Sequence, residues 1–515
     1  MEIRTQFGKT LPHLRAQRFD LNSKGVWLPF RQSRGGAALL LADPLPAGSI
    51  VTKIRESKIQ RVALSLYDMK IHCLRPVALA LFCVSFLTAQ PVDDTKLKQV
   101  IVFGRHSVRS PVAPNSTLNT FSVQPYPVFT AAPPASPAQP PPLGYLTVNG
   151  ATLETILGGY YRLWLTNEGL LTGNDSADAA FVYFHANTLE RTVLTAQSFW
   201  TGMLPAADPP NVYVVPQGSD PLFDPVGAGV ALLNQQMAVA AVTGRLGGNP
   251  PALASAYAPE LALTRSILFG YPASETPAPA APAGTVDVTT IPFAVTAGTS
   301  GSPVDLGGLT AVGAAVDPFV MEYADGLPAS EVGWGQLTAG GVSQISRLYT
   351  LAIDLEFRTP YLVKVQSSNL ASHVVRSMVQ AATGNTMTGA LGKPSTKVIV
   401  LVASDVNIAG LAGLFNLDWI LPGYQADYCA PGGALVFELR QSQGTGEYIV
   451  RASYIAQTLD QLRNRTALTL NAPPASAPVF IPGCSVRNAT FDCPLGKFVA
   501  VAKHVIDPFS ADQTN

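Results

Sequence analysis

Residues 105–111 read Arg-His-Ser-Val-Arg-Ser-Pro, two arginines four apart flanking a histidine. Charged residues make up only 13% of this chain, against ~25% in soluble domains, so Arg105 and Arg109 concentrate like charge where charge is scarce. A bound oxyanion would relieve their repulsion, because guanidinium forks match paired phosphate oxygens. The bland alternative is an exposed loop with two solvated arginines, and the motif alone does not choose between them.

Partners elsewhere bear on the choice. Asn187 and Glu190 stand at cap and third-helical positions of a helical pattern over 187–203, close to a capping box. Arg191 then falls in the first turn, where free N–H groups and the helix dipole also favour anions; otherwise it is a surface arginine paired with Glu190. Ser404 and Asp405 follow the apolar run KVIVLVA and precede the helix-like NIAGLAGLF. Both types are favoured helix caps, so capping competes with chemistry there. His185, His373 and His504 show no partner spacing and read as structural, with His504 the only late histidine near an acid.

The elements that must position these groups are short apolar strands and amphipathic helices. Residues 99–103 and 397–403 are continuous apolar runs, as in a sheet covered on both faces. Each ends in polar residues, and ligands of open α/β sheets bind beyond the carboxyl ends of strands. The two loaded strand ends are thus candidates for one shared site. Helices are expected over 150–171 and 187–203. The Pro/Ala-rich stretches 131–143 and 271–302 read as exposed loops or linkers.

The 515 residues carry 34 basic and 34 acidic groups, and the zero is a cancellation. Residues 1–68 hold 11 basic and 5 acidic residues, 69–89 add Lys70 and Arg75, and the remaining 426 residues carry 21 basic and 29 acidic groups, a net of −8. Such an acidic remainder argues against a nucleic-acid partner. From Met69 the chain shows a short basic head, the 14-residue apolar run Pro76–Ala89 and then Gln90, the pattern of a secretory signal peptide. A helix spanning a membrane needs ~20 apolar residues, so cleavage after Ala89 is expected, with Met69 as the true start and no membrane contact in the mature form. Export suits the cysteines: Cys484 and Cys493 enclose eight residues and fit a short disulfide, leaving Cys429 as a free, buried thiol. No HExxH or paired CxxC suggests a metal.

RHSVRSP resembles the R-H-G-x-R-x-P signature of the histidine acid phosphatases, a branch of the histidine phosphatase superfamily that includes phytases and bacterial glucose-1-phosphatase. The resemblance extends through GYLTVNGATLETILGGYYRLWL, HANTLERTVLTAQSFWTGML, MEYADGLPASEVGWGQL and KVIVLVASDVNIAGLAGLF. DQLRNRTALTL and the PGC…FDCP ending look most like the glucose-1-phosphatase group. The resemblance implies an α/β fold: a mixed, mostly parallel sheet flanked by helices, with a second, mainly helical cap subdomain. Residues 1–68 are then an upstream extension, 69–89 the signal peptide and 90–515 the phosphatase domain, with the α/β core over 95–160 and 390–515 and the cap over 161–389.

It further implies an exported, periplasmic or secreted acid phosphatase acting on a small phosphomonoester, a sugar phosphate or phytate, without cofactor or metal. His106 would be the nucleophile forming a phosphohistidine, and Arg105, Arg109 and Arg191 would hold the phosphoryl oxygens. Asp405 would protonate the leaving oxygen, with an acid optimum if it must be protonated when substrate binds. Two departures stand out: Ser107 replaces the commoner Gly, and Ser404 replaces the His of a His-Asp pair. The second makes a catalytically impaired phosphate-ester binding protein the alternative. Oligomeric state is not legible.

Overall fold

The computed structural model describes residues 93–130, 142–207, 209–299 and 301–512. The upstream extension and the signal-like segment lie outside the described residues. The strands are β1 (Thr95–Arg105), β2 (Val182–Ala186), β3 (Val212–Tyr213), β4 (Phe293–Ala297), β5 (Val304–Gly307), β6 (Val398–Ala403), β7 (Ala434–Ser442), β8 (Tyr448–Ala456), β9 (Ala475–Val479) and β10 (Cys493–Pro494). Eight form one mixed sheet in the order β10-β8-β7-β1-β6-β2-β3, with β9 also on β8. The central pairs β1–β6, β6–β2 and β2–β3 are parallel, and β7 starts an antiparallel half.

The two continuous apolar runs become β1 and β6 because both faces of the sheet are covered. In β1, Ile101 and Phe103 join the core on one face while Val100 and Val102 join that on the other. β6 repeats this, with Ile399 and Leu401 on the first face and Val398, Val400 and Val402 on the second. The second face is covered by the helices Val148–Asn167 and Glu190–Met203. Two glycines set their approach: a Cβ on Gly158 would stand 2.1 Å from the Phe199 carbonyl oxygen, and one on Gly202 would stand 1.9 Å from that of Thr155. Only a hydrogen fits there.

Three expectations change. The 187–203 helix begins at Glu190, not after Asn187: the Asn187 N–H bonds the Val402 carbonyl at 2.9 Å, prolonging the sheet edge, and its side chain accepts from the Thr188 N–H at 2.7 Å. Residues 271–302 are not all loop, since β4 pairs with β5 and Val288 and Phe293 are buried. And β2, the Glu190–Met203 helix and β3, within the stretch assigned to the helical cap, belong to the main sheet and its covering layer. The longest helices between β3 and β6 are Gly308–Ala324, Ala339–Phe357 and Pro360–Thr383. No helix among the described residues is long and apolar enough to cross a membrane.

Candidate active site

Parallel pairing assembles the site. Arg105, the last residue of β1, lies opposite Ala403, the last of β6, and Ala186 ends β2 opposite Val402. Three carboxyl ends therefore share one edge, carrying Arg105–Arg109, Ser404–Asp405 and the segment leading to Arg191. The His106 N–H bonds the Ala403 carbonyl at 2.8 Å, which holds the turn after β1 against the end of β6. A cavity of about 530 Å3 opens above this edge, and His106, Arg109, Arg191, Ser404 and Asp405 line it.

Arg105 is 1% exposed and donates through Nη1 to the Cys429 carbonyl at 2.7 Å, while its Nη2 forms an ion pair with Asp405 Oδ2 at 2.9 Å. Arg109 grips Asp317 of the Gly308–Ala324 helix at 2.9 and 3.2 Å. Arg191 has no such carboxylate: it makes one 3.4 Å bond to the Gly144 carbonyl, and its buried Nε has no partner. Glu190, its candidate partner, instead accepts from the Leu146 N–H at 3.0 Å. Burial, with the charges of Arg109 and Arg105, pulls the Arg191 guanidinium down to about 10. That is a cation prepared for an anion.

His106 is 2% exposed, and its Nδ1 lies 2.8 Å from the Ser107 carbonyl. A carbonyl only accepts, so Nδ1 carries the proton and Nε2 keeps its lone pair. Burial, then the charges of Arg191, Arg105 and Arg109, hold this imidazole well below 6.5, so it keeps its neutral form to more acid pH than an ordinary histidine. The Ser107 N–H donates to Thr195 Oγ1 at 3.1 Å, fixing the loop on the helix that also carries Arg191. Beneath the loop, burial pushes the Glu154 carboxyl up to about 8, against the Ser107 hydroxyl.

Asp405 is the first residue of the helix Asp405–Phe415, where the dipole favours a carboxylate. Its Oδ2 accepts from the Tyr349 hydroxyl at 2.7 Å. Burial would raise this carboxyl, but Arg105, the Tyr349 hydroxyl and Arg109 outweigh it and hold it below the ordinary value of 3.8. With these partners Asp405 is ionised, which alters the simple expectation of a carboxylic acid waiting for substrate. Ser404 takes the cap position, and its N–H donates to Asn407 Oδ1 at 3.2 Å. Capping and membership of the site thus coexist at these two residues.

Sequence reading missed Asp317, Tyr349 and Thr195. Asp317 had a signal, a lone acid before a proline within the apolar GLTAVGAAVDPFV, since a charge in an apolar helix is rarely buried unpaired; Tyr349 and Thr195 had none. His185 has a partner after all, Asp220 Oδ2 at 2.6 Å, and His373 meets Asp512 at 3.0 Å. Cys484 and Cys493 are joined by a disulfide, and Cys429 is a buried free thiol.

Residues 96–263 match the family model of the histidine phosphatase superfamily (branch 2). That stretch of the chain is similar to this branch. Among proteins similar to this chain, the phytase AppA of Escherichia coli is 28% identical, with 82% of this chain and 94% of that protein covered. A glucose-1-phosphatase of Salmonella typhimurium is 29% identical, with 82% and 96% covered. The structure of Hafnia alvei phytase in complex with myo-inositol hexakis sulphate superposes with a TM-score of 0.69 at 27% identity, covering 82% of this chain and 99% of that one. The histidine phosphatase fold, with its mixed sheet flanked by helices, is thereby common to this chain and these phytases.

Proposed function

We propose that this chain is an exported acid phosphomonoesterase working through a phosphohistidine. The observation that carries the reading is a neutral imidazole ringed by three guanidiniums, with a carboxylate at its side. In the first step His106 Nε2 attacks phosphorus and the bond to the leaving oxygen breaks, while Asp405 gives that oxygen a proton. Water then attacks phosphorus, Asp405 takes its proton, and the P–N bond breaks to release phosphate. Arg105, Arg109 and Arg191 stabilise charge spread over the equatorial oxygens, which is greatest at the transition state.

Because its neighbours keep Asp405 ionised, its proton arrives with the substrate. A phosphate ester has a second pKa near 6, so its monoanion, the form present in acid, brings the proton that Asp405 relays. The signal-like segment Met69–Ala89 and the Cys484–Cys493 disulfide support export. Ser404 favours a second reading, a phosphate-ester binding protein with impaired turnover. A serine hydroxyl offers one neutral hydrogen bond where an imidazolium offers a charge-assisted one, a difference of about 1–3 kcal/mol.

Hydrolysis of p-nitrophenyl phosphate from pH 3 to 7, with and without chelator, separates the readings. The enzyme reading expects release by the wild type, loss of at least ~1,000-fold in His106→Ala, and a rise of roughly 5- to 150-fold in Ser404→His. Equal release by wild type and His106→Ala would leave only binding.

A further inference from the structure

We propose that the cavity selects esters bearing one phosphoryl group on a neutral, hydroxyl-rich leaving group, and that Asp224 turns away esters carrying further phosphates. This rests on the phosphomonoesterase reading above and deepens it.

Volume does not discriminate, since about 530 Å3 falls within the ordinary range for small-molecule sites. Charge does. At the base, three guanidiniums face the carboxylates of Asp405 and Asp317, so one net positive charge remains beside a neutral His106. A single phosphoryl monoanion already balances it. Farther out, among the described residues, no lysine and no arginine besides Arg109 and Arg191 lines the cavity. A second or third phosphate would meet no cation there.

What it would meet is Asp224. This residue is exposed and lines the cavity, and its Oδ1 accepts from the Gly227 N–H at 2.9 Å. That bond closes a tight turn and fixes the carboxylate at the wall. The remaining polar lining, including Asn187, Thr188, Ser367 and Asn407, is uncharged apart from Asp220, which is buried against His185 Nε2 at 2.6 Å. Gln366 also lines the cavity, and its buried Oε1 has no donor among the described residues. A carboxylate accepts hydrogen bonds; hydroxyl groups supply donors without charge, whereas further ionised phosphates bring like charge.

The test compares kcat/KM at pH 5 for glucose 1-phosphate and inositol hexakisphosphate in the wild type, Asp224→Asn and Asp224→Lys. The wild type is expected to prefer the monophosphate at least ~10-fold, and both variants to move the ratio toward the hexakisphosphate by about three- to tenfold, Lys more than Asn. A wild-type preference for the hexakisphosphate, or a ratio unmoved in both variants, would overturn the proposal while leaving the phosphatase reading intact. Hydrolysis of neither ester, nor of p-nitrophenyl phosphate, would sink that reading instead. Calorimetric binding of the two ligands to His106→Ala then decides selectivity without turnover: tighter binding of glucose 1-phosphate upholds it, and tighter binding of the hexakisphosphate rejects it.

Discussion

A histidine with an ordinary pKa near 6.5 would be mostly protonated, and useless as a nucleophile, at the acid pH where an ester monoanion predominates. His106 escapes this because burial, and then the arginines proposed to hold the substrate, suppress its protonation. The same charges therefore serve binding and nucleophile availability. Arg191 is the most exposed of the three to this test, since among the described residues it has no carboxylate in ion-pair distance and bonds only the Gly144 carbonyl. In Arg191→Gln the field on His106 weakens and its pKa rises, so activity on the acid side is lost at a higher pH. A shift of the acid limb of log(kcat/KM) by roughly half a unit or more is expected on top of an overall loss. A lower profile with an unmoved acid limb would mean that Arg191 acts on substrate alone.

At the scale of elements, the helix Glu190–Met203 carries both Arg191 and Thr195, and it sits on the helix Val148–Asn167 through Gly158 and Gly202. A methyl group at Gly202 meets backbone, which cannot yield as a side chain can. Gly202→Ala should lower stability by about 1–3 kcal/mol and reduce kcat/KM by roughly tenfold or more, because small displacements of a charge clamp are costly. Gly159→Ala is the control: its Cβ would come no closer than 3.9 Å to the Gly202 carbonyl oxygen, and thermal melts and kinetics should stay close to wild type. Equal effects from both changes would remove the packing argument. The strand ends were legible for a related reason. Runs such as KVIVLVA can be buried on both faces only in the middle of a covered sheet, and the polar residues after them mark its edge. The start of the Arg191 helix was not, because the pull of the sheet edge on Asn187 comes from Val402, more than two hundred residues away in sequence. Asp317 likewise acquires its meaning only when its helix meets Arg109.

At the scale of the whole molecule, the acidic remainder of the sequence contains buried carboxyl groups adapted to acid. Burial pushes Glu154 and Glu322 up to about 8 and Glu356 up to about 7. Unfolded, these lose their protons near 4.5, so between that value and their folded values the native state holds more protons. Stability is then fully present below about 4.5 and falls as pH rises toward 8. His106 opposes this below 6.5, but it is one group against three. Tm should be higher at pH 5 than at pH 8 by roughly 5 °C or more, and Glu322→Gln with Glu356→Gln should flatten the difference; a Tm that rises toward pH 8 would show that other groups dominate. The family resemblance and the sheet could be read from motifs spread along the chain, whereas the charge balance of the cavity could not, because its lining comes from segments scattered from His106 to Asn407. The most direct test of the central claim is a rapid quench of enzyme mixed with a radiolabelled phosphomonoester at pH 5, followed by peptide mapping under alkaline conditions, where phosphohistidine survives. The account predicts acid-labile label on the peptide containing His106, formed before product phosphate accumulates and absent in His106→Ala. Phosphate released at the full steady-state rate with no label on that peptide, or with label on a different residue, would contradict it.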